Sequence, residues 1–120
     1  MEGDILLDID KQFYKGILFV RLSGVLDKNT TSKLKEQVSK IIKNNGIRNI
    51  VFNITNLSSI DCYGINALLY NYEISRDNNG NTLICGLKDD AVKRRIENSR
   101  LLNYMYETSN ELSAINVINL

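Results

Sequence analysis

Near the start of the chain Ile5, Leu7 and Ile9 alternate with Leu6, Asp8 and Asp10, the period-two pattern of a half-buried strand. Lys11 to Gly16 is polar around Phe13 and Tyr14 and ends in glycine, so it reads as a turn with frayed strand on either side. Ile17 to Leu22 is a stronger strand, hairpinned with the first. A small polar break at Ser23-Gly24 follows, then a short extended piece through Asp27. Leu34, Val38, Ile41 and Ile42 next recur at helical spacing, which predicts an amphipathic helix capped by Asn29, Thr30 or Thr31. Lys33, Lys35, Lys40 and Lys43 fall mainly off its apolar face, and Gly46 is placed as a left-handed terminator.

Ile47 to Ile54 is short and rich in β-formers, a central strand by composition. From Asn53 to Tyr72 the pattern changes from strand end to polar turn to helix. Ile65, Leu68, Leu69 and Tyr72 stand at i, i+3, i+4, i+7, one face of a helix. Asp61 precedes that face, where a short carboxylate accepts from free first-turn amides. Gly64 lies inside the first turn, where glycine costs helix stability. Its presence suggests that something approaches the backbone closely. Cys62 and Tyr63 are thereby displayed at the positive end of the helix dipole, and Asp77 to Gly80 ends the helix.

Thr82 to Gly86 is a nearly continuous apolar run, as in a strand covered on both faces. Asp89 or Asp90 caps a helix through Ala91, Val92 and Ile96. Leu101 to Tyr106 makes a last weak strand, and Ser109 or Asn110 starts a final helix using Leu112, Ile115 and Val117 or Ile118. Two strands followed by helix–strand alternation require parallel pairing with helical crossovers. The expected architecture is one α/β domain over residues 1–120, a mixed, mostly parallel sheet of four to five strands packed against four helices.

Composition narrows the chemistry. The chain of 120 residues is 43% apolar and 24% charged, with net charge +1, ordinary for a globular protein and no pointer to nucleic acid or an anionic membrane. It contains no histidine, and so lacks the commonest general base and metal ligand at neutral pH. Its two cysteines, Cys62 and Cys85, form no disulfide framework or zinc pattern. No cofactor or metal is expected. The first residues have no basic segment followed by an apolar one, and no apolar run is long enough to span a bilayer. A cytoplasmic protein with reduced thiols is expected, a monomer or weak dimer.

Three stretches together resemble a known family. Leu22-Ser-Gly-Val-Leu-Asp27 is similar to L-x-G-x-L-D of the STAS domains. Ile50-Val-Phe-Asn-Ile, followed by Leu57-Ser-Ser-Ile-Asp61 and Gly64, is similar to their strand, turn and D-S-S-G-(L/I)-G. Ala91-Val-Lys-Arg94 and Leu101-Leu102 lie where that family commonly has similar residues. The likeness runs from about Ile5 to Ile118 and is to the stand-alone anti-sigma factor antagonists of Gram-positive bacteria. It implies a protein that binds an anti-sigma factor of the GHKL kinase type, frees a sigma factor, and is released by phosphorylation of the second serine of D-S-S-G. It places Cys62 at the first serine and Tyr63 at the second, the phosphoacceptor position. It implies a partner-binding edge that includes the loop from Leu26-Asp27 through Thr30, with Asp27, Asn29, Thr30, Ser58, Ser59, Asp61, Cys62, Tyr63 and Gly64 its residues. A tyrosine hydroxyl at the tip of a rigid ring cannot reach the helix amides that a phosphoserine uses. Tyr63 is therefore not expected to be phosphorylated by the family's usual kinase; Ser58, Ser59 and Thr30 to Ser32 are the other hydroxyls to weigh, each more simply a turn or cap residue.

Other readings carry less. Cys62 at a helix N-terminus suits a reactive thiol, but no histidine can serve it as base and the Asp61 carboxylate opposes thiolate formation; an enzyme is not expected. Cys85 belongs in the core. Lys93-Arg94-Arg95 is the solvated face of its helix rather than a nucleic-acid platform, and Tyr104 and Tyr106 read as strand residues about Met105. Tyr63 is the kind of rigid amphipathic side chain that anchors interfaces. The alternative role within the same fold is a scaffold or ligand-sensing module outside any sigma-factor switch.

Overall fold

The computed structural model describes residues 6–119; Ile5, placed in the first strand from sequence, lies outside them. Strand β1 (Leu7–Tyr14) pairs antiparallel with β2 (Ile17–Leu26), register Leu7 to Gly24 through Tyr14 to Ile17. The segment read as a turn is therefore strand up to Tyr14. The turn is only Lys15 and Gly16, both at positive φ (52° and 80°), the two-residue geometry that matches hairpin twist. The polarity of Asp8 to Gln12 reflects an edge strand whose charges stay in water, with only Leu7 buried and Ile9 half-buried. β2 likewise runs unbroken through Ser23 and Gly24, absorbing them with register shifts between Arg21 and Ser23 and between Gly24 and Val25.

Helix α1 (Thr31–Asn45) ends at Gly46, φ 61°, as expected. It buries Leu34, Val38 and Ile42, while Ile41 packs at the margin. β3 (Asn49–Ile60) pairs in parallel with β2 and is the middle of five strands in the order β1-β2-β3-β4-β5. It continues six residues beyond the expected Ile54, because Asn56 to Ile60 keep pairing with Ser23 to Leu26. Leu57 and Ile60 are buried there, while Asn56, Ser58 and Ser59 are exposed. Helix α2 (Cys62–Asp77) leads to β4 (Thr82–Cys85), buried throughout, which pairs with β3 only as far as Asn53 and Cys85. The last part of β3 thus has a strand on one side only.

Helix α3 (Asp90–Glu97) is capped by Asp89, which accepts from the Ala91 and Val92 amides at 3.0 Å each. The expected strand from Leu101 to Tyr106 is instead a 3-10 turn at Leu101–Asn103 and a three-residue strand β5 (Tyr106–Thr108). Leu101 and Met105, both buried, are four apart, a helical rather than an alternating interval. Helix α4 (Glu111–Ile118) is capped by Asn110.

Strand order follows chain order and β2 to β5 are parallel. Crossovers of one hand in a sheet growing in one direction put their helices on one face. Accordingly α1, α2 and α3 share a core with Leu18, Val20, Ile50, Phe52 and Ile84. α4 follows the last strand, crosses to nothing, and covers the opposite face at Ile17, Phe19, Val51, Leu83 and Cys85 with Ala114, Ile115, Val117 and Ile118. Leu112, expected on the buried side, is 67% exposed. The preceding Glu111 faces the sheet, and one residue of helix turns the next side chain by about 100°.

Candidate functional site

Asp61 occupies the joint between β3 and α2. Its backbone is extended, and its Oδ1 accepts from the Gly64 amide at 2.9 Å, so it is the N-cap that the sequence predicts. Its other oxygen, Oδ2, accepts from the Lys28 amide in the β2–α1 loop at 3.2 Å, and its own amide donates to the Leu26 carbonyl at 3.3 Å. One short carboxylate thus joins two segments 33 residues apart in sequence.

The β2–α1 loop is ordered from within. Asp27 Oδ1 accepts from the Asn29 amide at 2.9 Å, the local turn that aspartate favours. Thr30 holds the N-cap position of α1 but makes no cap hydrogen bond. Its hydroxyl instead accepts from the Asp27 amide and donates to the Val25 carbonyl, both at 2.9 Å. Thr30 is accordingly buried, while Lys28 and Asn29 face solvent. Ser58 donates to the Gly24 carbonyl at 3.0 Å, tying the end of β3 to β2; Ser59 is exposed beside it.

Cys62 and Tyr63 project from the first turn of α2, with Tyr63 49% exposed. The Lys28 Nζ lies over the Tyr63 ring, 5.8 Å from its centroid, within cation–π range. Gly64, in contrast, is buried. A Cβ built on it would stand 2.4 Å from the Leu26 carbonyl oxygen and 2.7 Å from Ile60 Cγ1. The close approach that the sequence suggests at Gly64 is made by the chain's own β2 and β3. The structure brings Asp27, Asn29, Asp61, Cys62 and Tyr63 to one edge, with Ser58 and Ser59 flanking it, and puts Thr30 and Gly64 beneath as supports. Lys28 belongs to the edge too; it lies within the loop from Leu26 through Thr30 that the resemblance implies, but its bond to Asp61 and its place over Tyr63 carry no sequence pattern of their own.

A second polar cluster lies on the α4 face. Glu111 makes a two-point ion pair with Arg21, Oε2 to Nε at 2.8 Å and Oε1 to Nη2 at 2.9 Å, and accepts from Asn53 Nδ2 at 2.8 Å. Arg21 also reaches Asp10 and Gln12. The Arg21 hydrogen bond holds the Glu111 carboxyl below its ordinary value against the opposing effect of burial. Cys85 is fully buried against α4, a core residue as expected, and that burial pushes its thiol up to about 11. These groups anchor α4 and lie apart from the α2 edge.

Strands β2–β3–β4–β5 run parallel in chain order beside one antiparallel edge strand, with Cys62 and Tyr63 exposed at the α2 N-terminus, an α/β class of small domain. The STAS domain pattern matches residues 8–114, and the chain belongs to the STAS family. Over 109 residues it is 29% identical to the anti-sigma F factor antagonist of Paenibacillus polymyxa, covering 91% of this chain and 92% of that protein. An anti-sigma factor antagonist from Mycobacterium paratuberculosis superposes with TM-score 0.81 at 16% identity, covering 95% of each chain. The Bacillus cell fate determinant SpoIIAA in its phosphorylated form superposes with TM-score 0.71 at 19% identity, covering 92% of this chain and 99% of that one. At such identities the two superpositions establish the shared fold. No helix among the described residues is long and apolar enough to cross a membrane.

Proposed function

We propose that this protein is a non-enzymatic anti-sigma factor antagonist, binding a GHKL-type anti-sigma factor through the α2 N-terminus and the β2–α1 loop and thereby releasing a sigma factor. The observation that carries the reading is the Asp61 clasp in a chain of this family. By holding the Gly64 and Lys28 amides at once, it fixes Cys62, Tyr63 and the loop as one preorganised edge, so little conformational freedom is lost on binding.

Tyr63 sets this antagonist apart. Its hydroxyl is at the tip of a rigid ring, which lies beside Lys28 Nζ, and so cannot reach the first-turn amides that a short serine side chain at the same backbone position reaches. Phosphate there gains none of the helix-terminus stabilisation available to a phosphoserine, and the ring obstructs a kinase site shaped for a short hydroxyl. The antagonist therefore stays bound when ATP is present.

Affinity capture from a lysate of the source cell, with and without ATP and with mass spectrometric identification, tests both parts. A GHKL-type anti-sigma protein is expected in both conditions, with no phosphate on Tyr63. Tyr63→Ser is expected to make capture ATP-sensitive and to acquire phosphate at position 63. Loss of the wild-type complex with ATP, with phosphate on Tyr63, would overturn the constitutive switch. Absence of any such partner would overturn the antagonist role in favour of the scaffold or sensor alternative.

A further inference from the structure

Beyond the last β3–β4 pair, Asn53 with Cys85, the end of β3 is separated from α3 by an open groove of about 420 Å³. One wall is Ser58, Ser59 and Ile60; the other includes Arg94, Arg95 and Asn98. No carboxylate lines it, although Asp90 and Glu97 stand elsewhere on the same helix. Neither arginine makes an ion pair or a side-chain hydrogen bond among the described residues. The Asp89 carboxylate is spent on the α3 amides, and the Ser59 hydroxyl likewise has no partner there. Arg94, Arg95, Ser59 and Asn98 therefore line one space with side-chain donors that have no partner among the described residues.

Guanidinium groups in this setting recognise carboxylate or phosphate oxygens by paired hydrogen bonds. The lining contains no aromatic ring on which a nucleobase could stack, and the groove shares Ser58 and Ser59 with the residues flanking the α2 edge. We infer that it is the second half of the docking surface and receives an acidic, Asp- or Glu-bearing segment of the anti-sigma partner. This inference rests on the proposed antagonist role. Two contacts then divide the work: Tyr63 and the β2–α1 loop supply the ordered edge, and Arg94 with Arg95 supplies charge complementarity, which acts chiefly on encounter rate and specificity.

The test is surface-immobilised binding of the co-purified anti-sigma factor to the full chain at several salt concentrations. Arg94→Glu with Arg95→Glu is expected to slow association about tenfold or more at low salt and to flatten the salt dependence. Lys93→Glu, a reversal on the same helix outside the groove lining, is expected to change it far less. Unaltered far-UV circular dichroism and melting of the exposed-site variants separate a binding effect from misfolding. Equal association by wild type and the double variant would overturn the groove while leaving the antagonist role standing. An equal loss in Lys93→Glu would overturn it in favour of a diffuse charge effect. Binding of inorganic phosphate at Ser59 and Arg94, seen as NMR shift changes, with full partner affinity kept by the double variant, would reassign the groove to a small anion. Failure of the wild-type chain to bind any anti-sigma factor would overturn both readings together.

Discussion

At Gly64 two opposing effects compete. A helical interior normally favours alanine over glycine by about 1 kcal/mol, so on propensity alone Gly64→Ala is stabilising. The Cβ, however, meets a backbone carbonyl at 2.4 Å and a buried isoleucine at 2.7 Å, and neither can swing aside like an exposed side chain. Overpacking of this kind costs about 1–3 kcal/mol, and here it wins. Gly64→Ala is expected to lower the urea midpoint, and also to loosen the clasp by pushing the first turn of α2 away from Leu26. A midpoint equal to or above that of the wild type would show that the β2–α2 contact relaxes freely. Asp61 illustrates the complementary point: its capping role could be read from its place before an apolar periodic run, but its second bond, to Lys28, could not.

At the scale of elements, α4 is the least deeply held layer, with Ala114 its one buried side chain, and the Arg21–Glu111 pair is its polar anchor. Because Glu111 is held below its ordinary value of 4.5, the folded state binds its proton less tightly than the unfolded chain does. The stabilisation is therefore complete above about pH 4.5 and disappears as pH falls through the lowered folded value. Arg21→Met is expected to destabilise at pH 7 and progressively less towards pH 3, an effect held to about 1 kcal/mol by the partial exposure of the pair. Urea titrations of wild type and variant across that range give the difference directly. A difference independent of pH would mean that Arg21 acts by packing over Phe19, which lies 5.7 Å from its guanidinium, and not by charge.

For the molecule as a whole, two apolar clusters share one set of strands. Within β2, Ile17 and Phe19 face α4, and Leu18 and Val20 face the crossover helices; β3 repeats the division with Val51 against Ile50 and Phe52. Side chains alternate along a strand, so neither cluster can be dismantled while the other keeps its backbone intact. Unfolding is expected to be a single transition, with tyrosine fluorescence and far-UV circular dichroism coinciding in denaturant. Separate midpoints would show that the α4 layer melts independently.

Much of this was legible in the chain order of residues. The periodicities of α1 and α2, the Gly46 terminator, the Asp61 and Asp89 caps and the apolar run of β4 are local: each depends on residues within a turn or two, and propensity and spacing report them. The largely parallel α/β class, with a sheet of four to five strands, followed from the order of those elements, and the family from three short stretches at the right intervals. What only tertiary pairing decided was non-local. Polar residues at Asp8 to Gln12 and Asn56 to Ser59 are strand because β2 lies alongside them, and a ladder requires backbone partners before side-chain pattern. Leu101 to Asn103 form a 3-10 turn and only Tyr106 to Thr108 find a place beside β4. Gly64 answers to Leu26 rather than to a visitor, Lys28 joins the α2 edge through a bond across 33 residues, and Arg94 and Arg95 face Ser58 and Ser59 because β4 stops short of the end of β3. Sequence encodes what each segment prefers; the close approaches and open edges arise where segments distant in the chain meet.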